Sequence, residues 1–433
     1  MERIAATYHI ETPYAPEQVG LIMAGEQSTG TFVSVPGETD ALKQSHGARL
    51  EKIVPLDDSQ GPSLPSPKIQ GERFQRAKIV LSWPVENMGH NLMALISTLQ
   101  GNLYELRQLT GIKLMDIHLP AGFTKAFSGP TFGAIGSRRR MGVAHGPMIG
   151  TIIKPSVGLS PTQTAEQVRQ LIDAGIDFIK DDELTVNPPH APLVDRVEAV
   201  MAVINQHADR VGRKIMYAFH ISDELDAMKR HYECLIHAGA SCAMLSVNSL
   251  GPCATKAICD LGELPIHGHR NGWGMLNRHP WLGIAFPAYQ VLWRLAGVDQ
   301  LHVNGLSNKF WEEDASVVAS MRACASSVIR PMSLDTTAQP PSAASNLRED
   351  AILPVVSSGQ WGGQAYETFA QTQTTDLLYL AGGGIMAHPK GVAAGVHAIR
   401  QWWHAACEGL NIPEAIMRYP ELELSYRTFG ASS

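Results

Sequence analysis

Short apolar runs alternate with amphipathic helical stretches from about residue 148 to the end of the chain. Buried strands that lack in-and-out alternation and are separated by helices are typical of a parallel sheet. Eight such units over roughly 250 residues predict a closed (β/α)8 barrel. The eight candidate strands are MIGTIIKP (148–155), DFIKDD (177–182), KIMYAFHI (214–221), CAMLSVN (242–248), LPIHGH (264–269), QLHVNG (300–305), ILPVVSS (352–358) and DLLYLAG (376–382).

The helices between these strands have recognisable ends. Ser160, Pro161 and Gln163 form a capping box with proline at the first helical position, so a helix is predicted to begin there. Three helices end in Ala-Gly before the next strand, where a left-handed residue is favoured. The glycines concerned are Gly175, Gly239 and Gly297.

The first 135 residues show a different pattern, in which several strands come together with few helices. Strands are predicted near YHIET (8–12), GTFVSVP (30–36), KIVPL (52–56) and FQRAKIVLSWP (74–84), and helices near residues 16–24 and 91–108. This pattern predicts an α+β domain of the ferredoxin-like type over residues 1–135. The barrel domain is predicted over 136–433, with a helical tail from about residue 400.

Composition narrows the function classes. The 433 residues carry 35 basic and 41 acidic side chains, so the net charge of −6 gives no general attraction to nucleic acid or to an anionic membrane. The basic run Arg138–Arg140 lacks interleaved aromatics and fits a solvated face or internal salt-bridge donors. The six cysteines form no C-x-x-C pair, and no apolar run is long enough to span a bilayer. A cytoplasmic location is expected.

Polar residues gather where the predicted strands end, which is the face on which barrel enzymes place catalytic groups. Alternation puts Lys180 and Asp182 on one face of a strand and Asp181 on the other, and Glu183 can turn inward beyond the strand end. Two carboxylates with a third oxygen donor would suit Mg²⁺. Lys180 could supply that donor as a carbamate, or it could simply form a salt bridge with the acids; this stretch alone leaves both open.

Several motifs together resemble the RuBisCO large-subunit superfamily along essentially the whole chain. They are GTIIKPSVGLS, FIKDDE, LPIHGHR, QLHVNG followed by Lys309, PVVSSG, LAGGGIMAHPKG, AGEQSTGTF and QGN. The resemblance implies Mg²⁺ held by Lys180 as N6-carboxylysine together with Asp182 and Glu183. It also implies that Lys154 is the acid/base acting on the enediolate carbon.

The resemblance extends to the residues expected to bind substrate. His269 would bind a substrate hydroxyl, and Lys309 would contact a carboxylate on the reacting centre. The remaining substrate and phosphate contacts would be Arg270, His302, Ser357, Gly359, Gly382 and Gly383. Glu26, Thr31 and Asn102 resemble residues that reach into the barrel of a neighbouring subunit, which implies a homodimer or an assembly of dimers with shared sites.

Departures from the family pattern indicate a form IV, RuBisCO-like protein and not a carbon-fixing enzyme. Ser156 stands where carboxylases have a second catalytic lysine, and its loss weakens gas-substrate positioning. The other departures are Ile152 for threonine, Phe32 for tryptophan, Val303 and Asn304 for a Ser-Gly pair, and Ser358 for glycine.

Such proteins share a metal-stabilised enolate, and the residues retained here favour one reaction. A proton-shifting enolase has no use for a lysine aimed at a carboxylate, yet Lys309 and its family partner Glu26 are kept. We therefore expect a Mg²⁺-dependent decarboxylase of a phosphorylated β-keto sugar acid such as 3-oxo-isoapionate 4-phosphate. The alternatives are a transcarboxylase/hydrolase that yields 3-phosphoglycerate and glycolate, an enolase or isomerase of a methylthio-sugar phosphate, and a non-catalytic sugar-phosphate binder.

Overall fold

A closed barrel of eight parallel strands is the larger of two structural units in the computed structural model of this protein. The structure describes residues 2–30, 35–66, 68, 71, 73–330 and 348–430. Unit 1 comprises Met1–Gly129, Gly272–Ala296 and Ser327–Pro340, and unit 2 comprises Pro130–Asn271, Gly297–Ser326 and Pro341–Ser433, within those described ranges.

The strands are β1 (Arg3–Thr12), β2 (Arg49–Ser59), β3 (Phe74–Pro84), β4 (Gly111–His118), β5 (Met148–Ile152), β6 (Phe178–Lys180), β7 (Met216–His220), β8 (Cys242–Ser246), β9 (Ile266–His269), β10 (Leu282–Ile284), β11 (Gln300–His302), β12 (Leu353–Val356) and β13 (Leu378–Leu380).

The helices are α1 (Pro16–Glu26), α2 (Asp40–His46), α3 (Leu92–Leu99), α4 (Ala121–Thr124), α5 (Gly133–Met141), α6 (Pro161–Asp173), α7 (Leu193–Val211), α8 (Leu225–His237), α9 (Val247–Cys259), α10 (Trp273–Asn277), α11 (Phe286–Ala296), α12 (Asp314–Ala325), α13 (Ala365–Thr372), α14 (Gly383–Met386), α15 (Val392–Cys407), α16 (Ile412–Arg418) and α17 (Leu422–Phe429).

Unit 1 is built on a five-stranded mixed sheet with the order β10-β4-β1-β3-β2. Its strands pair antiparallel except β10, which runs parallel to β4. The sequence did not predict β4 or β10. The predicted 91–108 helix is instead α3 followed by a 3-10 helix over Gly101–Glu105, and the second piece begins at Gly101, whose φ is +33°. The predicted strand at GTFVSVP lies largely outside the described residues.

Unit 2 contains all eight predicted barrel strands, in the sequential order β5-β6-β7-β8-β9-β11-β12-β13. The amino-terminal part of the barrel is filled by buried apolar side chains, among them Met148, Phe178, Met216, Met244 and Leu378. This packed apolar layer keeps water from the amino-terminal part of the barrel. It gives the polar side chains at the carboxyl ends of the strands a rigid base.

The predicted helix signals hold in the structure. Ser160 Oγ accepts from Gln163 N, and the Gln163 side chain accepts from Ser160 N, at the start of α6. Gly175, Gly239 and Gly297 have φ of +81°, +67° and +101°. The tail is helical, and its Trp402 and Trp403 are buried.

The predicted fold class, an α+β domain followed by a (β/α)8 barrel, is confirmed. The exact domain boundary at residue 135 stays a prediction; the chain first passes from unit 1 to unit 2 at Gly129–Pro130 and returns to unit 1 twice. Across the described ranges, every helix is too short or too polar to cross a membrane.

Candidate active site at the carboxyl ends of the barrel strands

Two lysines and two carboxylates meet just beyond β5 and β6. Lys154 Nζ donates to Asp182 Oδ2 at 2.6 Å and to Ser156 Oγ at 2.7 Å. Lys180 Nζ lies 3.6 Å from Glu183 Oε2 and donates to the Asp181 carbonyl oxygen at 3.0 Å. The predicted acid/base and the three predicted metal ligands are therefore brought together at one place in unit 2.

The two lysines of this group differ in their access to water. The Lys180 side chain is 1% exposed, whereas that of Lys154 is 43% exposed. Burial lowers the pKa of the Lys180 amine below its ordinary value, although Glu183, Asp182 and Asp181 oppose the shift. Burial also acts to raise the pKa of Glu183, but the Lys180 charge and hydrogen bonding outweigh it and lower that pKa overall.

Asp181 faces away from this group, as the alternation of the strand predicts. Its carboxylate accepts from Tyr217 Oη at 2.6 Å, His220 N at 2.9 Å and Arg196 Nη2 at 3.2 Å. Asp181, Arg196 and His220 are almost fully buried. Asp181 thus joins β6 to β7 and α7 beneath the site, and it positions the residues on either side of it.

His269 ends β9 and Arg270 follows it, four strands along the barrel from β5, after which Lys154 lies. His269 Nε2 lies 3.5 Å from Glu183 Oε2, so it borders the predicted metal ligands. Burial holds the pKa of His269 well below its usual value. Arg270 Nη2 donates to Glu312 Oε2 at 2.9 Å, and both side chains are buried. A phosphate bound by Arg270 must therefore share it with Glu312 or replace Glu312.

Both ring nitrogens of His302 have protein partners. Nε2 lies 2.9 Å from Nε2 of His267, and Nδ1 lies 3.0 Å from Oγ of Ser357. Burial lowers the pKa of both histidines well below the ordinary value, so the rings are neutral. His302 contacts the predicted substrate residue Ser357, whose own side chain is buried at the end of β12.

The predicted glycine contacts lie on the turns after β12 and β13. Gly359 has φ +88°, a conformation that favours glycine, and a Cβ there would come within 3.3 Å of Lys309 Cβ. A Cβ on Gly383 would meet nothing within 4 Å, and one on Gly382 would meet only Ile152 at 3.7 Å. These two glycines are not required by protein packing and leave space above the strand ends.

The remaining predicted residues are not joined to the lysine and carboxylate group. Lys309 is exposed, its backbone N–H donates to the Ser358 carbonyl at 3.1 Å, and its Nζ lies 5.2 Å from the Phe310 ring. In unit 1, Asn102 Nδ2 donates to Glu26 Oε1 at 3.1 Å. Thr31 and Phe32 lie outside the described residues.

Two family models match this chain in succession. The ribulose bisphosphate carboxylase large chain, N-terminal domain, matches residues 2–123, and the catalytic domain matches residues 133–429. The chain belongs to the ribulose bisphosphate carboxylase (RuBisCO) large-chain family.

Several members of the RuBisCO family resemble this chain over nearly its full length. It is 49% identical over 421 residues to a 3-oxo-isoapionate-4-phosphate transcarboxylase/hydrolase from Xanthobacter autotrophicus, covering 97% of this chain and 98% of the relative. It is 42% identical over 429 residues to a 3-oxo-isoapionate-4-phosphate decarboxylase from Rhizobium rhizogenes, covering 99% and 98%. A crystal structure of a rubisco-like protein from Burkholderia fungorum matches with a TM-score of 0.89 at 43% identity, covering 99% and 100%.

The departures from the RuBisCO pattern have visible consequences. At the predicted departure Ser156, the hydroxyl oxygen accepts a hydrogen bond from Lys154. At the predicted departures Asn304 and Ser358, the backbone is left-handed, with φ of +66° and +77°. Their side chains meet, since Ser358 Oγ donates to Asn304 Oδ1 at 2.7 Å.

Two residues of this candidate site were not predicted from the sequence. Gln300 contacts His267, and Glu312 contacts both Arg270 and Asn304. The two-residue period of β11 places Gln300 on the same face as His302, so strand alternation could have indicated it. Glu312 lies on a loop, where no local pattern predicts its partners.

Proposed function

We propose that this protein cleaves the bond between carbon and CO₂ in a phosphorylated β-keto sugar acid such as 3-oxo-isoapionate 4-phosphate, with Mg²⁺ as cofactor. The observation that carries the proposal is the contact of Lys154 with Asp182 beside the buried Lys180, whose amine lies 3.6 Å from the partly exposed Glu183 carboxylate. The names of the relatives at 42–49% identity support this substrate class.

The residues present fit a magnesium ion. Burial lowers the pKa of Lys180 and so favours its neutral amine over the ammonium form. The neutral amine is the form that adds to CO₂ to give an anionic oxygen donor. Asp182 and Glu183 would supply the other protein oxygens, which is the donor chemistry that Mg²⁺ prefers. Among the described residues, no three His, Cys, Asp or Glu side chains form a metal-ligating group, so the proposed site takes its third donor from Lys180.

When bound, Mg²⁺ would lower the energy of the negative charge that develops on the substrate oxygen as the bond breaks. The C–CO₂ bond breaks, its electron pair enters the enediolate, and CO₂ leaves. Lys154 then delivers a proton to the carbon that carried the carboxylate. We assign this step to Lys154 because its amine is partly exposed and is held in position by Asp182 and Ser156. We assign the substrate carboxylate to Lys309 and to Asn102 of the partner subunit. Arg270 resembles the distal-phosphate contact of the family, and Gly359, Gly382 and Gly383 resemble its remaining substrate and proximal-phosphate contacts.

A second outcome begins with the same cleavage and is favoured by the relative at 49% identity. In that outcome the carboxyl group is transferred within the substrate, and hydrolysis of a C–C bond gives 3-phosphoglycerate and glycolate. The two outcomes need the same group of lysines and carboxylates, and they differ in their products.

The test is incubation of the full-length protein with 3-oxo-isoapionate 4-phosphate labelled with ¹³C in the carboxyl group, with Mg²⁺ and bicarbonate. Decarboxylation releases the label as CO₂, whereas transcarboxylation and hydrolysis leave it in an acid product. A chelator should stop either reaction. If the substrate is unchanged at every Mg²⁺ concentration, while 5-methylthioribulose 1-phosphate exchanges a carbon-bound proton for solvent deuterium, the isomerase alternative replaces the proposal.

The state of Lys180 can be measured separately. Protein incubated with ¹³C-bicarbonate and Mg²⁺ should give a carbamate signal in the ¹³C spectrum, and Lys180→Ala should lose it. Lys214→Ala is a matched control, because Lys214 is another lysine of unit 2 and its ammonium donates to the Gly239 carbonyl far along the sequence from the site. A signal that persists in Lys180→Ala would contradict the assignment.

A further inference from the structure

The segment that follows β11 places a buried carboxylate, that of Glu312, in the candidate site. Its Oε2 accepts from Arg270 Nη2 at 2.9 Å and from Asn304 Nδ2 at 2.5 Å, and its Oε1 accepts from Ser316 Oγ at 2.9 Å. The Glu312 side chain is 0% exposed and that of Arg270 is 4% exposed. Both oxygens of Glu312 therefore bind protein donors, and the reaction chemistry proposed above gives this residue no role.

The ion pair with Glu312 changes what Arg270 offers to a ligand. A guanidinium is always charged in proteins, and the three groups that bond Glu312 all donate, so its carboxylate is ionised. The two charges cancel within the buried pair. Arg270 therefore does not present an uncompensated positive charge to a ligand, although the family resemblance predicts a phosphate contact there.

The chain around Glu312 is held in place by its own side chains. Asn308 Nδ2 donates to the Gly305 carbonyl at 3.0 Å and to the Glu312 carbonyl at 2.9 Å. The Ser307 N–H donates to Asp314 Oδ1 at 2.8 Å. Moving Glu312 away from Arg270 would disturb these contacts as well as the carboxylate bonds, so a ligand does not displace Glu312 easily.

Asn304 gives the Glu312 carboxylate a second support. Its amide oxygen accepts from Ser358 Oγ at 2.7 Å, while its Nδ2 donates to Glu312. Asn304 and Ser358 both have a left-handed backbone, which favours glycine over residues with a side chain. What their side chains provide at positions suited to glycine is a fixed Asn304 amide that points its donor at Glu312.

A phosphate group next to Arg270 would meet this fixed carboxylate. If the phosphate displaced Glu312, it would leave a buried carboxylate without its charge partner. If it lay beside Glu312, like charges would face each other where little water screens them. The turn after β13 is more open, since a Cβ on Gly383 would meet nothing within 4 Å. A phosphate is therefore accommodated more readily at Gly383 than at Arg270.

We propose that Glu312 is a specificity-determining residue, which neutralises Arg270 and excludes a second phosphate from that end of the site. The protein accordingly selects sugar acids that carry one phosphate, and Arg270 faces an uncharged end of the substrate. The inference rests on the proposed function in one respect, that a sugar phosphate binds at the carboxyl ends of the barrel strands. It replaces the predicted phosphate contact of Arg270.

The first test uses the wild-type, full-length protein with Mg²⁺ and bicarbonate, and measures binding by calorimetry. The probes are ribulose 1-phosphate and ribulose 1,5-bisphosphate, which differ only in the second phosphate. We expect the monophosphate to bind at least about tenfold more tightly, because the second phosphate meets the Glu312 carboxylate. Equal or tighter binding of the bisphosphate would overturn the proposal without any variant.

The second test removes the Glu312 charge and keeps the size of the side chain. Glu312→Gln should bind the bisphosphate at least about tenfold more tightly than wild type does, whereas the affinity for the monophosphate should change less than about threefold. Glu313→Gln is the matched control, because it makes the same charge change at the exposed neighbouring residue, and it should leave both affinities unchanged. A folded Glu312→Gln protein without the gain, or an equal gain in Glu313→Gln, would overturn the proposal.

The double variant Arg270→Gln/Glu312→Gln shows whether the gain acts through Arg270. It removes both charges of the buried pair, a replacement that proteins often tolerate without loss of stability. We expect it to lack the gain in bisphosphate affinity seen in Glu312→Gln, because the cation is no longer there. The same gain in the double variant would mean that Arg270 is not the group that Glu312 neutralises, and the proposal would fail.

These measurements separate the inference from the proposed function, because binding is read without turnover. A protein with the expected preference for one phosphate but no cleavage of 3-oxo-isoapionate 4-phosphate would contradict the proposed function alone. A protein that cleaves that sugar acid but binds the bisphosphate more tightly than the monophosphate would contradict this inference alone.

Discussion

At the scale of single residues, the two adjacent aspartates after β6 have opposite environments. Asp181 is bound by Arg196, Tyr217 and the His220 N–H, whereas Asp182 contacts Lys154 and the Leu184 N–H. Asp181 therefore joins β6 to β7 and α7, whereas Asp182 faces the candidate active site. In the run from Lys180 to Glu183, Asp181 is therefore a structural residue, and the other three are candidate site residues.

The matched variants Asp181→Asn and Asp182→Asn should separate these two roles. Asp181→Asn leaves the buried Arg196 without its charge partner and should lower the free energy of unfolding by about 3 kcal/mol. Asp182→Asn should cost less than about 1 kcal/mol, because Lys154 is partly exposed and water screens the pair. Its effect should fall on Mg²⁺-dependent turnover, with a loss above about a hundredfold, since even outer partners of a metal site contribute up to that much.

Denaturant unfolding and steady-state kinetics on both variants measure these effects. Equal stability losses with equal losses of turnover would mean that the two acids act as one structural unit, contrary to their separate contacts.

At the scale of single elements, short sequence motifs predicted those helices and strands whose formation depends on contacts within the same segment. The start of α6 could be predicted because Ser160, Pro161 and Gln163 satisfy its first N–H groups without help from the rest of the chain. The barrel strands could be predicted because each is a short apolar run that ends in polar residues. β10 could not be predicted, because a three-residue strand depends on its pairing with β4, far earlier in the chain. Glu312 could not be predicted for the same reason, since its partners Arg270 and Asn304 follow other strands.

Ser160→Ala tests the local contribution at α6. It removes the acceptor for Gln163 N and should lower the free energy of unfolding by about 1 kcal/mol. Ser160→Asp should restore most of that loss, because aspartate also caps helices. Turnover per folded molecule should stay at the wild-type level in both variants. A loss of turnover without a loss of stability would instead indicate that the loop from Lys154 to Ser160 depends on this cap.

At the scale of the whole molecule, buried neutral histidines should make folding sensitive to acid. Burial lowers the pKa of His220 from 6.5 to about 4, and it lowers those of His267 and His302 well below 6.5. Below pH 6.5 the unfolded chain binds protons that the folded protein does not, so stability falls as the pH drops. His220 alone should remove about 3 kcal/mol between pH 6.5 and 4.

Denaturant unfolding between pH 8 and 4, without added metal, measures this dependence. His220→Gln should flatten the curve, because glutamine can still bond Ser222 and Ser246 but does not titrate. His145→Gln, at an exposed histidine, is the matched control and should leave the curve unchanged. If wild type and His220→Gln show the same slope, carboxylate protonation and not the histidine controls acid unfolding.

The assembly of the protein gives the last prediction, because the family resemblance assigns Asn102 to the site of a neighbouring subunit. If sites are shared in this way, each active site combines the barrel of one subunit with Asn102 of the other. Lys180→Ala and Asn102→Ala should each be inactive alone. In a mixed dimer, one site carries both defects and the other carries neither. Random pairing makes half of the dimers mixed, so co-refolded or co-expressed variants should recover about one quarter of the wild-type activity.

Mixing Lys180→Ala with Asp182→Asn is the control and should recover none, since both changes lie in the barrel. Absence of recovery in dimers shown by mass to be mixed would mean that each site is built from one subunit, and Asn102 would then act within its own chain.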